Sequence, residues 1–491
     1  MQTNPRKILG FVYNLVITIV IIYMIIMLFI GWYSSKKISS NEDFMLAGRR
    51  LGPLLMAGTL AATEIGGGSS LGVVEKSFGD WGLDANWYVT TMGIAFIILA
   101  ILAPKFRQAE VKTVPEYFRR RYGNKSGLIT SIIMILPLIG LTASQFIASS
   151  TIVSVMLGWD YKVAVTIVAL VVTIYSVLGG LWSVTMTDFI QVFLIVIGMI
   201  IAIPYALSTA GGFNMVKANV PEETFQLFKG VSLVEIVSLI MYVASFTVGQ
   251  EAVSRYYTAR DSKAAVQGSI ISAIINFMYA FIPTILGIIT LALINMGKLE
   301  ESIILENGAY YALPHLAMKT MPVVIVGLLF SGIISATMSS ADSDLLGAGS
   351  IFANDIYKIY IRKEASSDEV MRTTQITMVI VGVFGWFIAF TNTSSIISIL
   401  MFSFSLRAAG SFFPYIFGLY WEESSEAGTI ASLISGSTVV LGFQYIPMLS
   451  KLSEIYKFNS IIPALLVSFL VFILFSKIFP PKIKSTQLKI E

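Results

Sequence analysis

Apolar stretches long enough to cross a bilayer recur along the whole chain, and this recurrence limits the fold more than any other feature. Hydrocarbon cannot satisfy a backbone N–H or C=O, so a spanning segment must be a helix or a strand of a closed barrel. The stretches run to about 20 residues or more without the alternating polarity of barrel strands, which predicts helices. We expect about thirteen, near 9–33, 53–79, 85–104, 127–157, 161–179, 186–208, 233–256, 265–295, 321–356, 371–390, 394–420, 427–446 and 459–479. Only 13% of residues are charged and 56% are hydrophobic, whereas soluble domains carry about 25% charged residues. The expectation is one all-α integral membrane domain over 1–491. The absence of cysteine excludes thiol chemistry, and the single histidine, His315, excludes a His-cluster metal site. A net charge of +4 gives no reason to expect nucleic acid, because topology explains the basic residues. Most of the 33 Lys and Arg fall on one set of flanks, so the N-terminus is expected outside the plasma membrane and the C-terminus in the cytoplasm.

The second stretch is interrupted by Thr59-Leu60-Ala61-Ala62-Thr63-Glu64-Ile65-Gly66-Gly67-Gly68-Ser69-Ser70. Three consecutive glycines lose much backbone entropy in a helix, so the span is expected to break there. A break frees backbone groups that lipid cannot satisfy, and it is tolerated where protein or water covers it, as in binding sites. Glu64 lies in the break. An ionised carboxylate at that depth costs about 2.5 kcal/mol or more, which makes a functional role the default reading. A kink with Glu64 neutral or paired is the structural alternative. A second polar interruption, Ser245-Phe246-Thr247-Val248-Gly249-Gln250, lies in the seventh stretch. Spans two to six (53–208) and seven to eleven (233–420) therefore read as two repeats, each opening with an interrupted helix. Five is an odd number, so the repeats have opposite topology. An extra helix at 9–33 and two at 427–479 flank them.

Three further features carry chemistry. On the ninth stretch Ala336, Ser339, Ser340 and Ser343 recur at helical spacing and form one polar stripe. Hydroxyl and carbonyl oxygens suit a hard cation. Close helix packing would explain the small residues but not Asp342. Asp188 opens the sixth stretch, where capping and cation binding are equally good accounts. Arg407 lies near the middle of the eleventh, and must face the interior and pair with Glu64, Glu251 or an anionic group on a solute. No phosphate-binding glycine loop is present, which argues against an ATP-driven pump. The polar residues cluster at one depth rather than lining a continuous pore, which argues against a channel.

At these residues the chain resembles the sodium/solute symporter family, which transports proline, pantothenate, glucose and choline. The matching stretches are Glu42 to Pro53; Thr113-Val114-Pro115-Glu116-Tyr117-Phe118 with Arg121-Tyr122-Gly123; Leu178-Gly179-Gly180-Leu181-Trp182-Ser183 through Thr187-Asp188 to Gln191; and Ser335 to Ser343 with Asn354-Asp355-Ile356-Tyr357. The resemblance implies thirteen spans around a LeuT-like five-plus-five inverted-repeat core. It implies a main sodium site from the carbonyls of Ala62, Ile65 and Ala336 and the hydroxyls of Ser339 and Ser340. A second sodium site, which some members have, would map to Asp188, Ser339, Asp342 and Ser343. The choline branch carries tryptophans where Glu64 and Gly249 stand, so its aromatic cage is missing here. The proline branch carries an aspartate at the Glu64 position.

The expected function is sodium-coupled import of a small polar organic solute, amino-acid-like, cationic or zwitterionic, with sodium as the coupling ion. The solute-facing set is expected to be Glu64, Gly67, Ser69, Trp87, Gln145, Phe246, Gln250 and Arg407. The alternatives are proton coupling with Glu64 as carrier, and a pantothenate-like sodium/carboxylate symporter. No enzyme activity is expected, and the sequence gives no oligomeric state.

Overall fold

A computed structural model describes residues 5–35, 49–109, 111–391 and 394–481. Glu42 to Gly48 of the first matching stretch lie outside the described residues, as do Lys36, Lys37, Lys482, Lys484 and Lys489 of the charge reading. The helices that build the fold are α1 (Pro5–Ser35), α2 (Pro53–Glu64), α3 (Asn86–Ala109), α4 (Val114–Tyr122), α5 (Asn124–Leu157) and α6 (Tyr161–Ala210). They continue with α7 (Leu233–Met241), α8 (Val243–Val248), α9 (Gln250–Thr258), α10 (Ser262–Asn295), α11 (Val323–Ile351) and α12 (Ser367–Thr391). The last three are α13 (Ile396–Gly418), α14 (Glu426–Tyr445) and α15 (Ile461–Ile478).

Local sequence explains where several begin. Pro53 opens α2, where its missing N–H is no loss. Thr113 caps α4 through Glu116 N–H at 3.1 Å, and Ser232 and Glu235 form a reciprocal capping box on α7. Asp261 caps α10 through Ala264 N–H at 2.7 Å.

Among the described residues, ten helices are long and apolar enough to cross a membrane, or eleven when the bent pair Leu233–Val248 and Gln250–Thr258 counts as one. The expected thirteen is not reached, for identifiable reasons. The second stretch is divided, and α2 alone has 12 residues. Its continuation from Gly68 runs on as helical turns into α3. The N-terminal helix contributes an apolar piece at Asn14–Ile26. The backbone stays helical through Gly179-Gly180, where the sequence suggested a link, yet Tyr161–Leu178 and Thr187–Ala210 still count as two spans.

α2, α8, α9 and α11 lie inside the bundle, with α10 packed along α3 and α2, and α11 along α5 and α6. The ends of the two interrupted spans are joined directly. Leu51 pairs with Ala259 in a parallel bridge, through Leu51 N–H to Thr258 O at 3.2 Å and Arg260 N–H to Leu51 O at 2.9 Å. The long connection before α7 is held by Asp84, a fully buried carboxylate. It accepts from the backbone N–H groups of Phe228, Lys229, Gly230 and Val231 at 2.8–3.3 Å.

Candidate functional site

The second span breaks at Ile65, whose ψ of 82° leaves the helical range, and resumes at Gly67 and the π-helical turn Gly68–Gly72. Side chains cover the freed groups. Ser69 Oγ accepts from Gly66 N–H at 2.9 Å and donates toward Glu64 O at 2.9 Å. Gly67 N–H donates to Gln145 Oε1 of α5 at 2.9 Å. The three glycines do not adopt positive φ, so backbone freedom is not why they are there. They permit close approach. A Cβ on Gly66 would lie 2.7 Å from Ser340 Oγ and 2.9 Å from Gln145 Oε1. One on Gly67 would collide with Ala148, and one on Gly68 with Leu400.

That closeness has a measurable consequence. Gly66→Ala should push Ser340 off the break and raise the sodium concentration for half-maximal uptake by about ten-fold, equivalent to about 1.4 kcal/mol, within the usual range for overpacking. Unchanged sodium dependence would mean that the break yields without moving Ser340.

The stripe on α11 faces the break. Ser340 Oγ lies 3.3 Å from Ala62 O, 3.4 Å from Thr63 O and 3.1 Å from Ala336 O. A hydroxyl has one proton, so it cannot satisfy three acceptors. The surplus of converging oxygens is what a hard cation relieves. Ser339 points elsewhere and donates to Asp188 on α6. Asp188 also accepts from Thr59 Oγ1 at 2.5 Å and stands 3.7 Å from Arg255 Nη2. Ser343 joins this group through Arg255 Nη2 at 2.5 Å. Asp342 binds Ser176 of α6 instead, so the four residues of the expected second sodium set do not all meet one another.

Beside the break lies a cavity of about 30 Å³, lined by Glu64, Ser69 and Gln145 of the expected solute set and Ser340 of the sodium set, with Tyr88, Glu251, Asp344 and Phe404. That is far below the about 300–1,000 Å³ of ligand pockets, so an organic solute fits only when the walls move apart. Arg407 is buried behind it, ion-paired with Glu251 and donating from Nε to Ser245 Oγ at 2.9 Å. Of the three partners open to Arg407, the structure selects Glu251. Arg407 Nη2 and Glu251 Oε2 are both buried and have no hydrogen-bond partner among the described residues.

Five expected solute contacts lie off the cavity lining: Gly67 and Arg407, already placed, and Trp87, Gln250 and Phe246. Trp87 donates to Asp84 Oδ1 at 3.2 Å and packs on Phe228. Gln250 Oε1 accepts from Val114 N–H at 2.8 Å, tying the start of α9 to α4. Phe246 stacks edge-on against Phe404 at 4.8 Å and supports the lining from behind.

Sequence reasoning missed Arg255, placing it among loop charges when it is 1% exposed inside the bundle. It also gave no role to Asp344 and Tyr88. The spacing of Glu251 and Arg255, four apart on one helical face, was the available signal for the first.

Comparison with known proteins gives the family and the fold. Residues 44–436 match the sodium:solute symporter family. The osmoregulated proline transporter OpuE of Bacillus subtilis (strain 168) is 26% identical over 471 residues, covering 93% of each chain. Sodium/proline symporter 2 of Staphylococcus saprophyticus is 27% identical over 467 residues, covering 91% of this chain and 90% of that one. In fold, the chain is similar to a sodium-coupled sialic acid symporter solved in a substrate-bound, outward-open state. That structure has a TM-score of 0.78 at 19% identity, with 94% of this chain and 96% of the other covered. With a matching family over most of its length, a multi-pass helical membrane fold and a polar site at paired helix breaks, the chain belongs to the sodium:solute symporter family and is a sodium-coupled transporter of a small organic solute, not an enzyme.

Proposed function

We propose that this symporter carries an amino-acid-like solute with a cationic amine, and that sodium binds where Ser340 faces the break. The observation that carries the reading is the Ser340 hydroxyl converging with the carbonyls of Ala62, Thr63 and Ala336. Ile65 O completes the sodium set, whereas Ser339 Oγ, expected there, is turned to Asp188. The cavity beside it carries three carboxylates, Glu64, Glu251 and Asp344, and this surplus favours a positive group on the solute. The unpartnered Arg407 Nη2 supports a solute carboxylate at the other end. The proline-named relatives agree with such a zwitterion.

Coupling follows from shared parts. Sodium between α11 and the end of α2 fixes the break, and the break forms one wall of the cavity. Ordering that wall for one ligand lowers the cost of ordering it for the other, and the effect is reciprocal. We place repeats at 53–208 and 233–420, a plasma-membrane location, the N-terminus outside and the C-terminus in the cytoplasm, with the solute moving inward.

Uptake of labelled L-proline and of a panel of amines into proteoliposomes tests this reading. Uptake should require an inward sodium gradient, and equal uptake in potassium would overturn the sodium assignment. Acid-driven uptake without sodium would favour Glu64 as a proton carrier. Ser340→Ala should raise the sodium concentration for half-maximal uptake by about ten-fold or more, the loss of one ion-facing oxygen, with selectivity among solutes unchanged. Altered selectivity at unchanged sodium dependence would refute that role.

A further inference from the structure

Oxygen-bearing side chains from three helices converge beside the sodium site: Thr59 on α2, Asp188 on α6, and Ser339 and Ser343 on α11. Asp188 holds Thr59 and Ser339, and Ser343 Oγ lies 3.0 Å from Ser339 O. One carboxylate with several hydroxyls is a donor set suited to a small hard cation. All four residues are buried, so the negative charge needs a positive partner.

The chain supplies that partner from a fourth helix. Arg255 of α9 is 1% exposed. Its Nη2 reaches Ser343 Oγ at 2.5 Å and Asp188 at 3.7 Å, its Nε reaches Thr59 Oγ1 at 3.3 Å, and its Nη1 donates to Glu251 O. We propose that the Arg255 guanidinium is a tethered cation standing where a second sodium ion would bind beside Asp188, so that this transporter binds one sodium ion. A guanidinium stays charged at any physiological pH, and its covalent link makes occupancy independent of sodium concentration. The count of one rests on the sodium site assigned above to Ser340.

Equilibrium binding of radiolabelled sodium to the full-length protein in nanodiscs, without solute, tests this directly. The wild type should bind one ion per chain. Arg255→Gln should expose the Asp188 oxygens and bind two, and adding Asp188→Asn should return the count to one. Two ions on the wild type would overturn the proposal whether or not any variant folds. A count that stays at one in folded Arg255→Gln, with sodium affinity weakened by Ser340→Ala, would overturn the tethered cation while leaving the first sodium site standing.

Discussion

Arg407→Met should destabilise the protein by about 3–5 kcal/mol, the usual result of removing one partner from a buried ion pair. Arg407 is 1% exposed and its partner Glu251 is also buried. The substitution leaves the Glu251 carboxylate in a protein interior, in a membrane, with no counter-charge. Chemical denaturation of the detergent-solubilised protein measures the loss. Combining Arg407→Met with Glu251→Gln removes the orphaned charge and should recover most of it, and the four-way cycle isolates the pair. If the single and double variants are equally unstable, lost packing rather than the stranded carboxylate is the cause. The double variant should fold and still transport poorly, because Glu251 lines the cavity.

Glu64→Gln should weaken solute binding by about 1.5–3 kcal/mol, the range for a hydrogen bond to a charged group. The change keeps size and removes charge at the point where α2 ends. Sodium affinity should fall less, because the sodium oxygens assigned here are carbonyls and hydroxyls. Binding of L-proline and of a permanently cationic analogue, measured with and without sodium, separates the two effects. A variant with unchanged affinity for both solutes and for sodium would leave Glu64 as an acid satisfied within the break.

Much of the site could be read from sequence because membranes punish irregular backbone. A triple glycine and a carboxylate inside an apolar stretch have few tolerable explanations, and helical spacing put Ser340 on a polar stripe whose sodium role the family resemblance then implied. The purpose of the glycines was less visible. Their entropy predicted a break, but the structure shows contact surfaces against Ser340, Ala148 and Leu400, which belong to helices far away in sequence.

Arg255 was hidden for a different reason. A basic residue near the end of an apolar stretch looks the same whether it faces headgroups or a buried aspartate. Gln250 and Trp87 were expected to face the solute, but helical rotation turns Gln250 toward Val114 and Trp87 toward Asp84. The span count suffered because a broken helix presents two short pieces to any test of length.

The bridge between Leu51 and Ala259 bears on how motion in this molecule should be watched. The chain entering α2 and the chain leaving α9 share backbone hydrogen bonds there, and the contact of Arg255 with Thr59 joins the two helices again further in. These bonds hold the two together, so spectroscopic labels at Gly52 and Arg260 should serve as an internal ruler with a fixed reading. The informative ruler runs from that pair to α4, which meets it where Gln250 accepts from Val114 N–H and reaches Lys112 O. A label beside Val114, paired with one at Gly52, is placed to register the opening stroke.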